Sequence, residues 1–383
     1  MAALTWPEVS ARRLYRHGLA EPWADATPAD VAAAMCGAHA QVMSAAELSI
    51  GIRTVHAARS DVRNALWSEH SLVKAIGPRG TVHLLPTRDL PMWTGALSAL
   101  PAGPSALPPE AVLTDEQTES VVEAIGRALA DAELTVDELT DAVVERTGPW
   151  AGDPVVPAWY GMWPRWRPAL YAAATRGVVC FGPNRGRTVT YTNPHRYLPG
   201  FEPLAPSAAL AELVRRYLHA YGPATAPQFA RWLAAPRAWA SELFDSLAPQ
   251  LDRVDLDGSP AWLVRGDTEV PKEPADGVRL LPYFDAYAVG SQPRELLFAG
   301  RAYERALAGG QAGNYPVLLV DGTVAGVWHQ KRSGRRVLVT VEPIGRLTAK
   351  VRRRLDAQVA RIGEFVDARA ELVVGTVTVG PHA

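Results

Sequence analysis

Three times along the chain a group of helix-patterned segments runs into two short, apolar-alternating stretches joined by a glycine-containing turn, and this repeated order restricts the fold more than any other feature. In the first group the spacing predicts helices between Glu8 and Ser60, with a capped entry at Thr27-Pro28-Ala29-Asp30. A capping-box pattern follows at Ser44-Ala45-Ala46-Glu47, and two helices are expected to meet around His39–Met43. A helical piece at Asp61–Trp67 precedes LVKAIGPRGTVHLL, a hairpin pattern around Gly77-Pro78-Arg79-Gly80. The second group follows the proline-rich stretch PAGPSALPPE (101–110), read as a semi-rigid linker. It has helices expected near 115–130, 135–147 and 164–176, then the hairpin pattern GVVCFGPNRGRTVTYT. The third has helices at 209–222, 225–233 and 236–247 and a hairpin in LDRVDLDGSPAWLV around Asp257-Gly258.

Helices followed by a hairpin form the winged-helix arrangement, in which one helix enters a DNA groove and the wing reaches the backbone. After Val278 the pattern changes to short strands (VRLLPYF, PVLLVDG, TVAGVWH, RRVLVTVE), one arginine-rich helix near 346–367 and a last strand, AELVVGTVTV. The expected fold class is α+β: tandem winged-helix domains at 1–100, 101–205 and 206–270 and a β-rich C-terminal domain at 271–383. A chain of 383 residues with 48% apolar and 21% charged residues has the material for several cores. No apolar run approaches the roughly 18–20 residues that span a bilayer, and Arg12 and Arg13 occupy the place of a signal peptide's apolar region, so a cytoplasmic, nucleoid-associated protein is expected. Cys36 and Cys180 stand alone, which argues against structural zinc, an iron–sulfur cluster or disulfides and makes them buried fillers.

Net charge is −1, so no global field favours nucleic acid, but only four cations are Lys and 35 are Arg, the side chain that forks onto phosphate. An alanine- and arginine-heavy chain is equally what biased codon usage produces. Between 160 and 200 there is no acid, while Arg165, Arg167, Arg176, Arg185, Arg187, His195 and Arg196 fall there. The usual signatures of nucleotide hydrolysis, dinucleotide redox chemistry, serine hydrolysis, zinc proteolysis and base deamination are absent, and read from pattern alone the chain is a multi-winged-helix DNA binder.

The segments GAHAQVMSAAELSIGIRTVHAAR, PRGTVHLLPTRDL, RPALYAAATRGVV, YGPATAPQFARWL, RLLPYFDAYAVG and GTVAGVWHQKRSGRRVLVTVEP, in this order over nearly the whole chain, resemble the bacterial winged-helix DNA glycosylases of the AlkZ and YcaQ type. That family carries Gln-Φ-Gln or Gln-Φ-Asp (Φ apolar) between its first helices. Here the matching residues are His39-Ala40-Gln41, and the departure at the first position reads as lost activity, a different lesion preference or, the favoured reading, a separate subfamily in which imidazole does the work of the amide. The resemblance implies three winged helices and a β-rich domain around duplex DNA in a basic channel, no metal or cofactor, and hydrolysis of the bond from C1′ to an alkylated purine. A purine alkylated at N7 or N3 is cationic and departs neutral, so the protein has mainly to place water and stabilise an oxocarbenium-like sugar. Gln41 is expected to position that water, and His39 either shares the task or accepts the proton.

For DNA contact the expectations are Arg59 at the end of the first resembling segment and Arg79, Thr81 and His83 on the first wing. Arg165 and Arg167, set among Trp159, Trp163 and Trp166, form either a DNA-facing surface or a helix that packs its indoles inward. Arg185 and Arg187 at the second hairpin tip, and Lys331 and Arg332 in the last resembling segment, complete the set. Asp285 is either a carboxylate that stabilises transition-state charge or a cap. Arg352, Arg353, Arg354 and Arg361 read as a solvated helix face, and Trp328 and His329 as closing the β-domain core. The expected activity is a monofunctional glycosylase on N7-alkylguanine, including bulky adducts and interstrand crosslinks, acting as a monomer on double-stranded DNA. The alternatives are a non-enzymatic winged-helix regulator and a resistance enzyme dedicated to one genotoxin.

Overall fold

The structure is a computed structural model and describes residues 2–103, 107–158 and 161–380. It is α+β and divides into two compact units, Met1–Ser68 with Val214–Ala383, and Glu69–Leu213. The expected first module is thereby shared between them. The reason is strand pairing: Leu72–Ile76 and Val82–Pro86 form the expected hairpin, and Lys74 also pairs with Phe181 of the second hairpin, so both hairpins lie in one sheet.

In the unit Glu69–Leu213 the strands lie in the order 82–86, 72–76, 180–185, 188–192, 134–135. Helices Asp115–Leu129 and Val136–Thr147 start where the sequence places them, because Thr114 with Gln117 and Thr135 with Glu138 form reciprocal caps that satisfy the first free amides. Val121, Ile125, Leu139, Val143 and the indole of Trp166 fill the core. The expected helix at 164–176 is shorter. Met162–Pro164 is a strand paired with Pro154–Pro157, and only Ala169–Thr175 is helical. Pro168 explains the late start, since proline has no amide to give inside a helix but fits just ahead of one. A buried helix, Leu90–Ser98, carried no entry signal in the sequence reading. Within the expected linker, residues 104–106 lie outside the described residues.

In the other unit the hairpin Leu251–Leu256 / Ser259–Val264 turns at Asp257 (φ 47°) and Gly258 (φ 85°), the left-handed pair that a two-residue hairpin turn requires. An unforeseen N-terminal strand, Ala2–Leu4, adds to it in parallel. The β-rich region is a five-stranded sheet in the order Val278–Leu281, Val317–Val320, Thr323–Ser333, Arg336–Pro343, Arg369–Val374. Trp328 is buried there and donates its indole N–H to the Leu281 carbonyl, while His329 is only half-buried. The late helix, Ala349–Phe365, buries Leu355, Val359, Ile362 and Phe365. Arg361, expected on its solvated face, instead donates to the carbonyls of Gly51, Thr54 and Ala57, satisfying acceptors at and beyond the end of helix Met43–Gly51. Both cysteines are free and buried, and no helix among the described residues is long and apolar enough to cross a membrane.

Helix Met43–Gly51 ends directly against the late helix: a Cβ on Gly51 would lie 2.2 Å from the Phe365 ring. Elsewhere in a helix Gly→Ala gains about 1 kcal/mol. Here overpacking reverses the sign, and Gly51→Ala is expected to lower unfolding free energy by about 1–3 kcal/mol, measured by urea titration, with Phe365→Leu in the same chain recovering part of it.

Candidate functional site

The segment His39-Ala40-Gln41 connects helix Pro28–Ala34 to helix Met43–Gly51. Thr27 and Asp30 cap the first helix as expected. Its exit is a reversal through Cys36 (φ 56°) and Gly37 (φ 99°), after which Ala38 and His39 are extended. His39 and Ala40 are buried and Gln41 is exposed, so the segment presents one amide outward and keeps the imidazole against the protein. The His39 ring lies 4.5 Å, centroid to centroid, from that of Phe284. Phe284 adopts a left-handed φ of 54°, and its N–H donates to the Gly313 carbonyl. Gly313 (φ 101°) has no room for a side chain, because a Cβ would meet Val289 at 2.8 Å.

What fixes Phe284 is the next residue. Asp285 is fully buried and caps helix Ala286–Gly290 by accepting the Tyr287 N–H. Its two oxygens receive a fork from Arg53, both contacts at 2.8 Å, and one also receives the Ser49 hydroxyl at 2.7 Å. Burial by itself pushes the carboxyl up, but Arg53, Ser49 and the Tyr287 amide together hold it below the usual carboxylate range. His17, packed edge-on to Tyr287 and Tyr221, is pushed down to about 3 by burial and then by the Arg53 charge, so it stays neutral and adds no second cation. Of the two readings of Asp285, the cap and tether is the one this geometry supports.

The capping box expected at Ser44–Glu47 does not form. Val42 occupies the cap position, and Glu47 is turned inward to accept Nε of Arg59 and, at 2.7 Å, Nε of Arg63. Arg59 thus stands on helix Arg59–Trp67, beside Arg63, which the sequence reading passed over.

The other expected contacts are dispersed. Arg79 (φ 63°) and Gly80 form the first hairpin's turn, and the Thr81 hydroxyl donates back to the Pro78 carbonyl. His83 is buried, its Nδ1 at 2.9 Å from the Thr81 carbonyl and its ring close under Gly77, a placement that opposes contact with DNA. Because strand 72–76 is antiparallel to 180–185, the tips carrying Arg79 and Arg185 lie at opposite ends of this sheet. Arg185 is engaged by Glu138 at 2.8 Å, whereas Arg187 is exposed. Arg165 bonds the Glu110 carbonyl and lies 3.3 Å from Asp153. Trp166 is the indole that packs inward, donating to Thr140. Arg167 lies over the rings of Trp163, Trp166 and Tyr191, with Trp163 partly exposed, so this stretch realises both readings in part. Trp159 lies outside the described residues.

Lys331 and Arg332 are exposed at the end of the long strand Thr323–Ser333, and the turn Ser333-Gly334 puts Arg335 and Arg336 next to them. These last two were missed although the Ser-Gly turn between basic pairs was a readable signal. Among the described residues no group of three or more His, Cys, Asp or Glu is placed to hold a metal ion.

A family model described as DNA glycosylase AlkZ-like matches residues 32–365. The chain is 31% identical over 336 residues to an interstrand DNA cross-link repair glycosylase of Streptomyces sahachiroi, covering 85% of this chain and 87% of that protein. The solved structure of S. sahachiroi DNA glycosylase AlkZ superposes with a TM-score of 0.79 at 27% identity, covering 97% of this chain and all of the other.

The tether makes a sharp stability prediction. Asp285→Ala strands a buried guanidinium and is expected to cost about 3–5 kcal/mol in denaturant unfolding. Replacing both partners together (Asp285→Leu, Arg53→Met) should cost less than the single change. A single-variant loss under about 1 kcal/mol would show that the pair carries no such load.

Proposed function

The chain belongs to the AlkZ-like DNA glycosylase family, enzymes that hydrolyse N-glycosidic bonds, and from that premise we propose that it excises N7-alkylated guanine and related cationic purines, interstrand crosslinks among them, leaving an abasic site. The observation that carries the reading is the match across residues 32–365, which includes His39-Ala40-Gln41 on a connection tied to a buried ion pair. The substrate class follows from the chemistry that so sparse a motif can perform. A cationic purine leaves as a neutral base, so no strong acid is required, and what remains is to direct water at C1′ as positive charge builds on the sugar.

Gln41, exposed at the mouth of the connection, offers one acceptor and two donors and orients the water. His39 stands where the family motif has an amide. Its ring is held by Phe284, and it presents a nitrogen that either orients the same water or takes its proton. Double-stranded DNA is held without sequence preference by three tandem winged helices, at 1–100, 101–205 and 206–270, together with the β-rich C-terminal domain at 271–383. Arg79, Thr81, Arg187 and the cationic turn at Lys331 and Arg332 meet phosphates. The relative's name, a cross-link repair glycosylase, supports extending the substrate to crosslinks. No cofactor enters the scheme.

The direct test is single-turnover release of 7-methylguanine from a duplex carrying one such lesion. Wild type is expected to release it, and Gln41→Ala and His39→Ala to do so about 10²-fold more slowly, equivalent to about 2.7 kcal/mol of transition-state stabilisation. Mustard-type crosslinked duplexes should yield free strands bearing an abasic site. Binding of undamaged DNA with neither release nor unhooking would turn the assignment toward a non-enzymatic regulator. Because several hairpins on one chain supply what two subunits supply elsewhere, the active species is a monomer, and sedimentation should return a mass near 41.3 kDa rather than twice that.

A further inference from the structure

Helix Arg59–Trp67 places Arg59 and Arg63 one turn apart, on the same side of the helix, and both guanidinium groups are held by a single carboxylate. Glu47 is almost completely buried (1% exposed), and each of its oxygens takes one Nε, from Arg59 and Arg63 respectively. An arginine that spends only its Nε keeps the two terminal nitrogens, the fork that matches a phosphate, for another acceptor. These side chains are 29% and 53% exposed, and no hydrogen bond from their terminal nitrogens to another group is found among the described residues. Two cations share one anion, so the cluster carries a net positive charge. The nearby Asp61, two residues from each arginine, faces away and is engaged by the Ala58 amide. The approach to the helix is fixed as well, since Arg361 donates to the Ala57 carbonyl at 2.7 Å.

From this geometry we infer that Arg59 and Arg63, held by Glu47, form a clamp for one backbone phosphodiester of the DNA substrate. The inference rests on the glycosylase reading and adds to it a phosphate anchor. Glu47 lies on the helix that begins two residues after Gln41, about 6 Å along its axis from the helix's first residue, so the clamp stands on the element that directly follows the motif. Arg59 and Arg63 are the contact residues, and Glu47 is a positioning residue that orients both.

Charge alone and a built clamp predict opposite results for Glu47→Gln. Removing a negative charge should tighten DNA binding if only the field matters, and should weaken it if the carboxylate aims the two forks. The experiment measures binding of the full-length protein to an unmodified duplex and to a 7-methylguanine duplex across a salt series, with thermal melting to verify folding. Arg59→Gln and Arg63→Gln are each expected to weaken binding about fivefold and together to flatten the slope of log affinity against log salt by about 0.9, one phosphate. Glu47→Gln should weaken it too, and Arg63→Lys should not restore it. Inorganic phosphate that binds wild type at millimolar level but not the double variant, while the variants keep wild-type DNA affinity and salt slope, would point to a free-anion site and overturn the assignment to DNA. Unchanged salt slopes in folded variants would overturn the clamp while leaving the glycosylase reading intact, provided that wild type still releases the base. Wild type that neither binds DNA nor releases base would remove both.

Discussion

The buried pair Arg53–Asp285 joins segments 232 residues apart in sequence, and the candidate site depends on that join. One partner follows the helix that begins just after Gln41, and the other follows the phenylalanine that packs on His39. A buried ion pair is a weak source of net stability, because two charges must leave water. Its value here is specificity of placement. The fork, the Ser49 hydroxyl and the Tyr287 amide saturate the carboxylate, so the Phe284 turn has one seat, and its left-handed backbone strain is borne by those contacts. His17 belongs to the same arrangement: kept neutral by its surroundings, it lets Asp285 answer one cation rather than two.

Much of the fold was legible because its signals are local. Thr27, Thr114, Thr135 and Thr225 each begin a helix through a side chain three residues from its reciprocal partner, and Asp257-Gly258 dictates a turn without help from distant residues. Ser44-Ala45-Ala46-Glu47 shows where that logic stops. The pattern is complete, yet two arginines on the following helix offer Glu47 more than the first amides do, and the cap passes to an apolar valine. No local signal encodes Glu47's burial, the parallel pairing of Ala2–Leu4, or the approach of Phe365 to Gly51.

The site was legible only in part for the same reason. His39-Ala40-Gln41 could be singled out by resemblance, but Phe284, Arg53 and Gly313, which define the environment of His39, are far away in sequence and generic in type. Composition misled in the opposite direction. Thirty-five arginines suggest a broad basic surface, yet Arg185, Arg176, Arg305 and Arg354 are paired with acids, Arg361 with carbonyls, and Arg12 and Arg13 are buried on carbonyls. These arginines are spent on contacts within the protein, some buried and some at the surface, and the cations disposed toward phosphate are fewer than the composition suggests.

That economy bears on the proposed role of His39 in the place of an amide. A Gln side chain orients water through two donors and an acceptor and needs its flexible stem to find the right pose. An imidazole turns about only two torsions, and the Phe284 ring beside it restricts those further. The exchange trades adaptability for preorganisation, and it is tolerable only if the wall beside the ring does not move. The tether through Asp285 supplies that condition: the carboxylate that takes the Arg53 fork and caps the following helix also fixes Phe284 beside the His39 ring.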